Sequence, residues 1–127
     1  MGLRAMGVTV DCSDPERLAD FWSGAVGFTN REGDGEPYVT ISGSNVERAV
    51  NHLTFQKVPE GKTAKHRVHL DLFVDDIGVE VQRLVALGAT VLTPAGDPSD
   101  MGFVAVVLVD PEGGEFCVVG RTQVSGS

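Results

Sequence analysis

Residues 6–28 read MGVTVDCSDPERLADFWSGAVGF, and their organisation decides the fold. Met6 to Cys12 alternates apolar with other residues, the period-two pattern of a half-buried strand. Ser13-Asp14-Pro15-Glu16 then supplies a helix start, with Pro in the first turn and Glu16 spaced for a capping box. Leu18, Phe21, Trp22 and Ala25 recur at steps of three or four, which gives a helix with one apolar stripe, and Gly27 suits its C-terminal stop. Trp22 belongs to that stripe and is expected in the core. Three strand-like runs follow, Phe28 to Arg31, Pro37 to Ser42 and Val50 to Val58, with turns at Gly33-Asp34-Gly35 and Ser42-Gly43-Ser44-Asn45.

The same order then returns. Arg67 to Val74 reads as a strand, Asp75-Asp76 opens a helix whose stripe is Val81, Leu84 and Val85, and Gly88 closes it. Strands are expected at Ala89 to Thr93, Gly102 to Val109 and Glu115 to Gly120. Asp110-Pro111-Glu112-Gly113-Gly114 is a turn by composition and Gly96-Asp97-Pro98-Ser99-Asp100 a loop. A repeat of roughly sixty residues marks an internal duplication. The expectation is one α+β domain of two tandem βαβββ modules: module one at about 6–58, a Lys-, Gly- and Pro-rich linker at 59–66, module two at about 67–120 and a disordered tail at 121–127.

Each module's sheet must bury one face under its helix, and the alternation says what lies on the other. In the first strand Val8, Val10 and Cys12 oppose Gly7, Thr9 and Asp11; in its counterpart Val68, Leu70, Leu72 and Val74 oppose His69, Asp71 and Phe73. Leu53 and Phe55 oppose His52, Thr54 and Gln56, and Phe116 and Val118 oppose Glu115, Cys117 and Val119. With the apolar sets under helices on the outer face, the second sets share the inner one. Phe73, Val119, Cys117 and His69 among carboxylates suit a curved mixed sheet that cups a small molecule better than a fully wetted face.

Composition removes several classes of function. The 127 residues are 42% hydrophobic, enough for one core, and 10 Lys and Arg against 18 Asp and Glu leave a net charge of −8. The cations are scattered, so nucleic acid is not an expected partner. No stretch approaches a membrane span or a signal peptide, and the cytoplasm is the expected compartment. Cys12 and Cys117 show no metal or disulfide spacing and read as reduced core thiols. His52 and His66 have no evident partner, and His66, between Lys65 and Arg67, is expected to be exposed.

The run Val10-Asp11-Cys12-Ser13-Asp14-Pro15-Glu16-Arg17-Leu18-Ala19-Asp20-Phe21-Trp22 with Gly27-Phe28 resembles the first strand and helix of the glyoxalase and bleomycin-resistance group of the vicinal oxygen chelate superfamily. So do His69-Leu70-Asp71-Leu72-Phe73-Val74-Asp75-Asp76, Leu87-Gly88-Ala89 and Asp110-Pro111-Glu112-Gly113-Gly114-Glu115-Phe116 in the second half. The resemblance implies a cup whose metal, in metal-dependent members, is held by side chains from the first and fourth strands of each module. Gly7 occupies one of those places and has no donor; His69 occupies its equivalent and Cys117 the place where relatives usually carry Glu. Gln56, or Phe55 after a slip of one residue, is the nearest candidate for the fourth. No cofactor is therefore expected; if a divalent metal binds, its ligands are His69, Cys117 and Gln56, or His69 with Glu115 or Asp71. Such a set suits Mg²⁺ or Mn²⁺ poorly.

Three functions follow as expectations. The first is a small-molecule binding protein of the bleomycin-resistance kind, with Asp11, Gln56, His69, Asp71, Phe73 and Cys117 lining its site. The second is a glyoxalase-like enzyme, of lyase, transferase or dioxygenase type, in which His69 acts as ligand or, with Glu115 or Asp71 beside it, as general acid or base. The third is a regulatory or structural domain. The resemblance also implies a homodimer; closure of the two modules on each other within one chain is the alternative, and sequence alone does not decide between them.

Overall fold

The computed structural model describes residues 6–43, 50–93 and 104–121. The expected loop at Gly96 to Asp100 and the tail beyond Arg121 lie outside them. The chain divides into two compact units, residues 1–63 and 64–127.

Unit one runs β1 (Met6–Cys12), α1 (Pro15–Val26), β2 (Asn30–Glu32), β3 (Tyr38–Ser42) and β4 (Val50–Lys57), in the sheet order β1-β4-β3-β2. Unit two repeats it with β5 (Leu70–Asp76), α2 (Ile77–Leu87), β6 (Thr90–Thr93), β7 (Val104–Val109) and β8 (Glu115–Arg121), ordered β5-β8-β7-β6. In both, the first and fourth strands pair in parallel and the remaining pairs are antiparallel. Two copies of βαβββ are therefore present, as the repeat predicts.

The helix starts are set by side chains. Asp14 is the N-cap of α1 and accepts from the Arg17 N–H at 3.2 Å, while Asp76 does the same for α2 toward Val79 at 3.1 Å. Because Asp14 and not Ser13 is the cap, Glu16 is not in the capping-box position; its carboxylate instead accepts from the Gly35 N–H at 3.0 Å. Gly27 ends α1 in the left-handed conformation, φ 75°. At the β2–β3 turn, Gly33 has φ 97°, and a side chain there would run into the Tyr38 carbonyl. Arg31 ties that turn to α1, reaching Asp20 at 2.6 Å and Asp34 at 2.8 Å.

Most of the apolar sets lie where alternation places them; Val68 does not, being 72% exposed ahead of β5. Leu18, Phe21, Trp22 and Ala25 of α1 are buried with Val39, Ile41, Leu53 and Phe55, and the Phe21 and Trp22 rings meet edge to face at 5.2 Å. In unit two Leu84, Val106, Leu108, Phe116 and Val118 are buried. Fully burying each such side chain contributes about 1.5–3 kcal/mol.

Some expectations need correction. The stripe of α2 is Ile77 and Leu84; Val81 is only half-buried and Val85 is 45% exposed, because the strand runs into the helix without a linker and the first turn already faces the sheet. The second strand begins at Asn30, with Phe28 buried before it, and Arg121, assigned to the tail, is the last residue of β8. β5 starts at Leu70, which leaves His69 just ahead of the strand.

Candidate functional site

In unit two the parallel ladder pairs Asp71 with Cys117 and Phe73 with Val119. Phe116 and Val118 are buried, so Cys117 and Val119 alternate to the opposite face with Asp71 and Phe73. On that face Asp71 Oδ1 stands 3.2 Å from His69 Nδ1, both side chains more than a third exposed. One donor atom each from His69, Asp71 and Cys117 falls within 4.8 Å of the others. Burial, together with the charge and hydrogen bond of Asp71, pushes the Cys117 thiol up from its ordinary value, against a smaller opposite pull from Lys65. The thiol is thus kept protonated, and it is half-buried at the surface of the sheet; only Cys12 is a core thiol, and neither cysteine is in a disulfide.

Glu115 is tied into the segment that leads to β5. Its carboxylate accepts from the His66 N–H at 3.0 Å and lies 3.9 Å from His66 Nδ1. His66 is accordingly half-buried rather than exposed, and it has a partner that sequence reading misses because the two residues are far apart in the chain. Glu115 follows a turn organised by the buried Asp110, which accepts from the Glu112 and Gly114 N–H groups at 2.9 Å each.

The equivalent face of unit one is largely polar, with Asp11 and Glu32, the register partner of Thr40, as its carboxylates. Asp11 is exposed and pairs in register with Gln56, whose amide donates to the Tyr38 hydroxyl at 3.3 Å. The Thr40 and Thr54 hydroxyls are 2.8 Å apart, and His52 Nδ1 meets the Asn51 side-chain oxygen at 2.7 Å. Gly7 pairs with His52, and a Cβ on Gly7 would stand 3.1 Å from the His52 Cβ.

The register identifies the equivalent positions. Gly7 and His69 stand the same distance before the caps Asp14 and Asp76, and Val8 pairs with Leu53 as Leu70 pairs with Phe116. The counterpart of Cys117 is therefore Thr54, and Gln56 corresponds to Val119, so Gln56 is not at the fourth expected ligand position. Of the four positions, His69 and Cys117 carry donors, Gly7 carries none and Thr54 carries a hydroxyl bonded to Thr40. This does not fit a four-donor centre for a hard divalent cation, which needs an oxygen-rich, near-octahedral set.

A cavity of about 530 Å³ lies elsewhere, beside the start of α1, where Asp14, Pro15, Glu16, Gly35, Glu36 and Lys57 line it. None of the expected site residues, Asp11, Gln56, His69, Asp71, Phe73, Glu115 or Cys117, is among its lining. Its carboxylates are partly committed to structure, Asp14 to the helix cap and Glu16 to the β2–β3 turn.

A family model described as a glyoxalase-like domain matches residues 7–119. No curated protein matches the chain. Among solved structures, a glyoxalase/bleomycin resistance protein/dioxygenase family enzyme from Burkholderia phytofirmans is 16% identical, with 90% of this chain and 95% of that one covered at a TM-score of 0.69. A mutant of the fosfomycin resistance protein FosX from Listeria monocytogenes, complexed with manganese(II) and dihydroxypropylphosphonic acid, is 12% identical, with 96% and 91% covered at 0.71. A glyoxalase I mutant from Zea mays is 16% identical over 90% of this chain and 45% of its own, at 0.66. At these identities the likeness is one of fold.

Proposed function

The chain belongs to the glyoxalase-like domain family, and from that membership we propose that it binds a small organic molecule against the open faces of its sheets, without the four-donor metal centre of metal-dependent members. The observation that carries this reading is the pair Gly7 and Thr54, which stand where two metal donors are expected and supply neither imidazole nor carboxylate. The open faces themselves favour a ligand. Phe73 is 77% and Tyr38 53% exposed, large rings whose hydration is relieved by stacking on a guest, and polar groups that fix orientation share their faces: Asp71, in contact with His69, two residues from Phe73 on the same strand, and Gln56 against Tyr38. A net charge of −8 favours a cationic guest over an anionic one. Two cysteines outside any disulfide suit a reducing compartment such as the cytoplasm.

A thermal-shift screen of cationic antibiotics and small aldehydes in the presence of a chelator tests it. A ligand at a hundredfold its dissociation constant stabilises the folded chain by about 2.7 kcal/mol. The reading expects such a hit, weakened in His69→Ala; stabilisation that appears only when Mn²⁺ or Ni²⁺ is added contradicts it.

One observation favours a second reading, metal-free acid–base catalysis. The 3.2 Å contact between Asp71 and His69 Nδ1 orients the ring and leaves Nε2 to exchange a proton with a small carbonyl or epoxide. Cys117, held as the thiol by burial and by Asp71, is not the nucleophile of this arrangement. Turnover in chelator that disappears in both His69→Ala and Asp71→Asn supports this reading, and turnover unchanged in either variant removes it.

A further inference from the structure

We propose that His69, Asp71 and Cys117 form a three-donor site for a thiophilic divalent cation, of the zinc or cadmium class, contained within unit two. The geometry carries the proposal. Asp71 and Cys117 are register partners on adjacent parallel strands, and His69 lies two residues before Asp71 with its ring turned onto the same carboxylate. Their donor atoms already lie within 4.8 Å of one another. Zinc bonds of about 2.0–2.3 Å place tetrahedral donors roughly 3.3–3.8 Å apart, so closure takes about an ångström of rotamer adjustment by side chains that are partly exposed and free to make it.

The donor chemistry selects the ion. One imidazole, one carboxylate and one thiolate is a borderline-soft set that suits zinc or cadmium, whereas Mn²⁺ and Mg²⁺ gain little from sulfur and lack the further oxygens they need. Asp71 is the third ligand, and it belongs to none of the four positions at which metal-dependent relatives are expected to hold their ion. Binding exchanges the thiol proton for the metal–sulfur bond and releases that proton to solvent. The fourth coordination position faces the open side of the sheet and is left to water. The proposal is separate from the small-molecule reading, which is tested in chelator.

The test is calorimetric titration of the reduced, metal-stripped full chain with Zn²⁺, Cd²⁺ and Mn²⁺, together with the absorption spectrum of the Co²⁺ form. The proposal expects one ion per chain, with Zn²⁺ and Cd²⁺ tighter than Mn²⁺ by about 100-fold or more. Cys117→Ser and Asp71→Asn each weaken Zn²⁺ by at least about tenfold while circular dichroism shows them folded, and Cys12→Ala leaves it unchanged. The Co²⁺ form shows a thiolate-to-cobalt charge-transfer band that Cys117→Ser abolishes. Absence of Zn²⁺ binding, Mn²⁺ bound as tightly as Zn²⁺, or affinity that survives in both site variants overturns the proposal. Small-molecule stabilisation in chelator is unaffected by any of these outcomes, so the two readings fail separately.

Discussion

Asp71 and Cys117 face each other across the parallel β5–β8 ladder, where burial, joined by the charge and hydrogen bond of the carboxylate, holds the thiol in its protonated form. In metal-stripped protein, alkylation of Cys117 by iodoacetamide therefore rises with pH later than for an ordinary thiol, and Asp71→Asn brings the rise to lower pH. The folded chain binds this proton more tightly than the unfolded chain. Its contribution to stability is fully present below the ordinary thiol value of about 8.5 and is lost as pH climbs from there through the folded value. Mass-spectrometric alkylation rates across pH check the first point; a profile in Asp71→Asn that matches wild type contradicts it.

Asp110 is buried and satisfies two backbone N–H groups of the turn that leads into β8. Asp110→Ala leaves the buried Gly114 donor without this acceptor and is expected to cost about 1–3 kcal/mol. Asp110→Asn keeps an oxygen there and is expected to recover much of the loss. Urea unfolding at constant slope measures both, and equal stability of Ala and wild type refutes the role given to this turn.

Phe73 contributes little to the fold, being 77% exposed. Phe73→Ser is expected to change stability by no more than about 0.5 kcal/mol while weakening any ligand that stabilises the metal-stripped chain. The pair of measurements separates a binding residue from a packing residue. A large loss of stability with ligand binding intact reverses the assignment.

The duplicated βαβββ order, both helix starts and most of the two alternating sets were legible from local signals: period two, a stripe at three and four, Pro in the first turn of α1. The site was legible only in part. Reading Gln56 as the partner of Cys117 fails because equivalence across the repeat is set by β1–β4 and β5–β8 pairing, which places Thr54 there, and register is not written in either strand alone. Asp71 stands out in sequence as a neighbour of His69, but its place beside Cys117 comes from a strand pairing between residues far apart in the chain. The His66–Glu115 contact is equally non-local. Val85 satisfies the helical period yet stays exposed, because the period marks a stripe without saying how much of it a small sheet can cover. The cavity beside α1 joins the helix start to the β2–β3 turn; Pro15 and the Gly33-Asp34-Gly35 run mark those two elements but do not announce that they meet.

Amide chemical-shift mapping of the metal-stripped chain, saturated with whichever small molecule stabilises it most, is the most direct examination of where and how this domain binds. The account predicts that the largest changes fall on His69, Asp71, Phe73 and Cys117 and that they occur with chelator present. Changes confined to Asp14, Glu16, Gly35 and Lys57 around the cavity beside α1, or changes that require added manganese, contradict it.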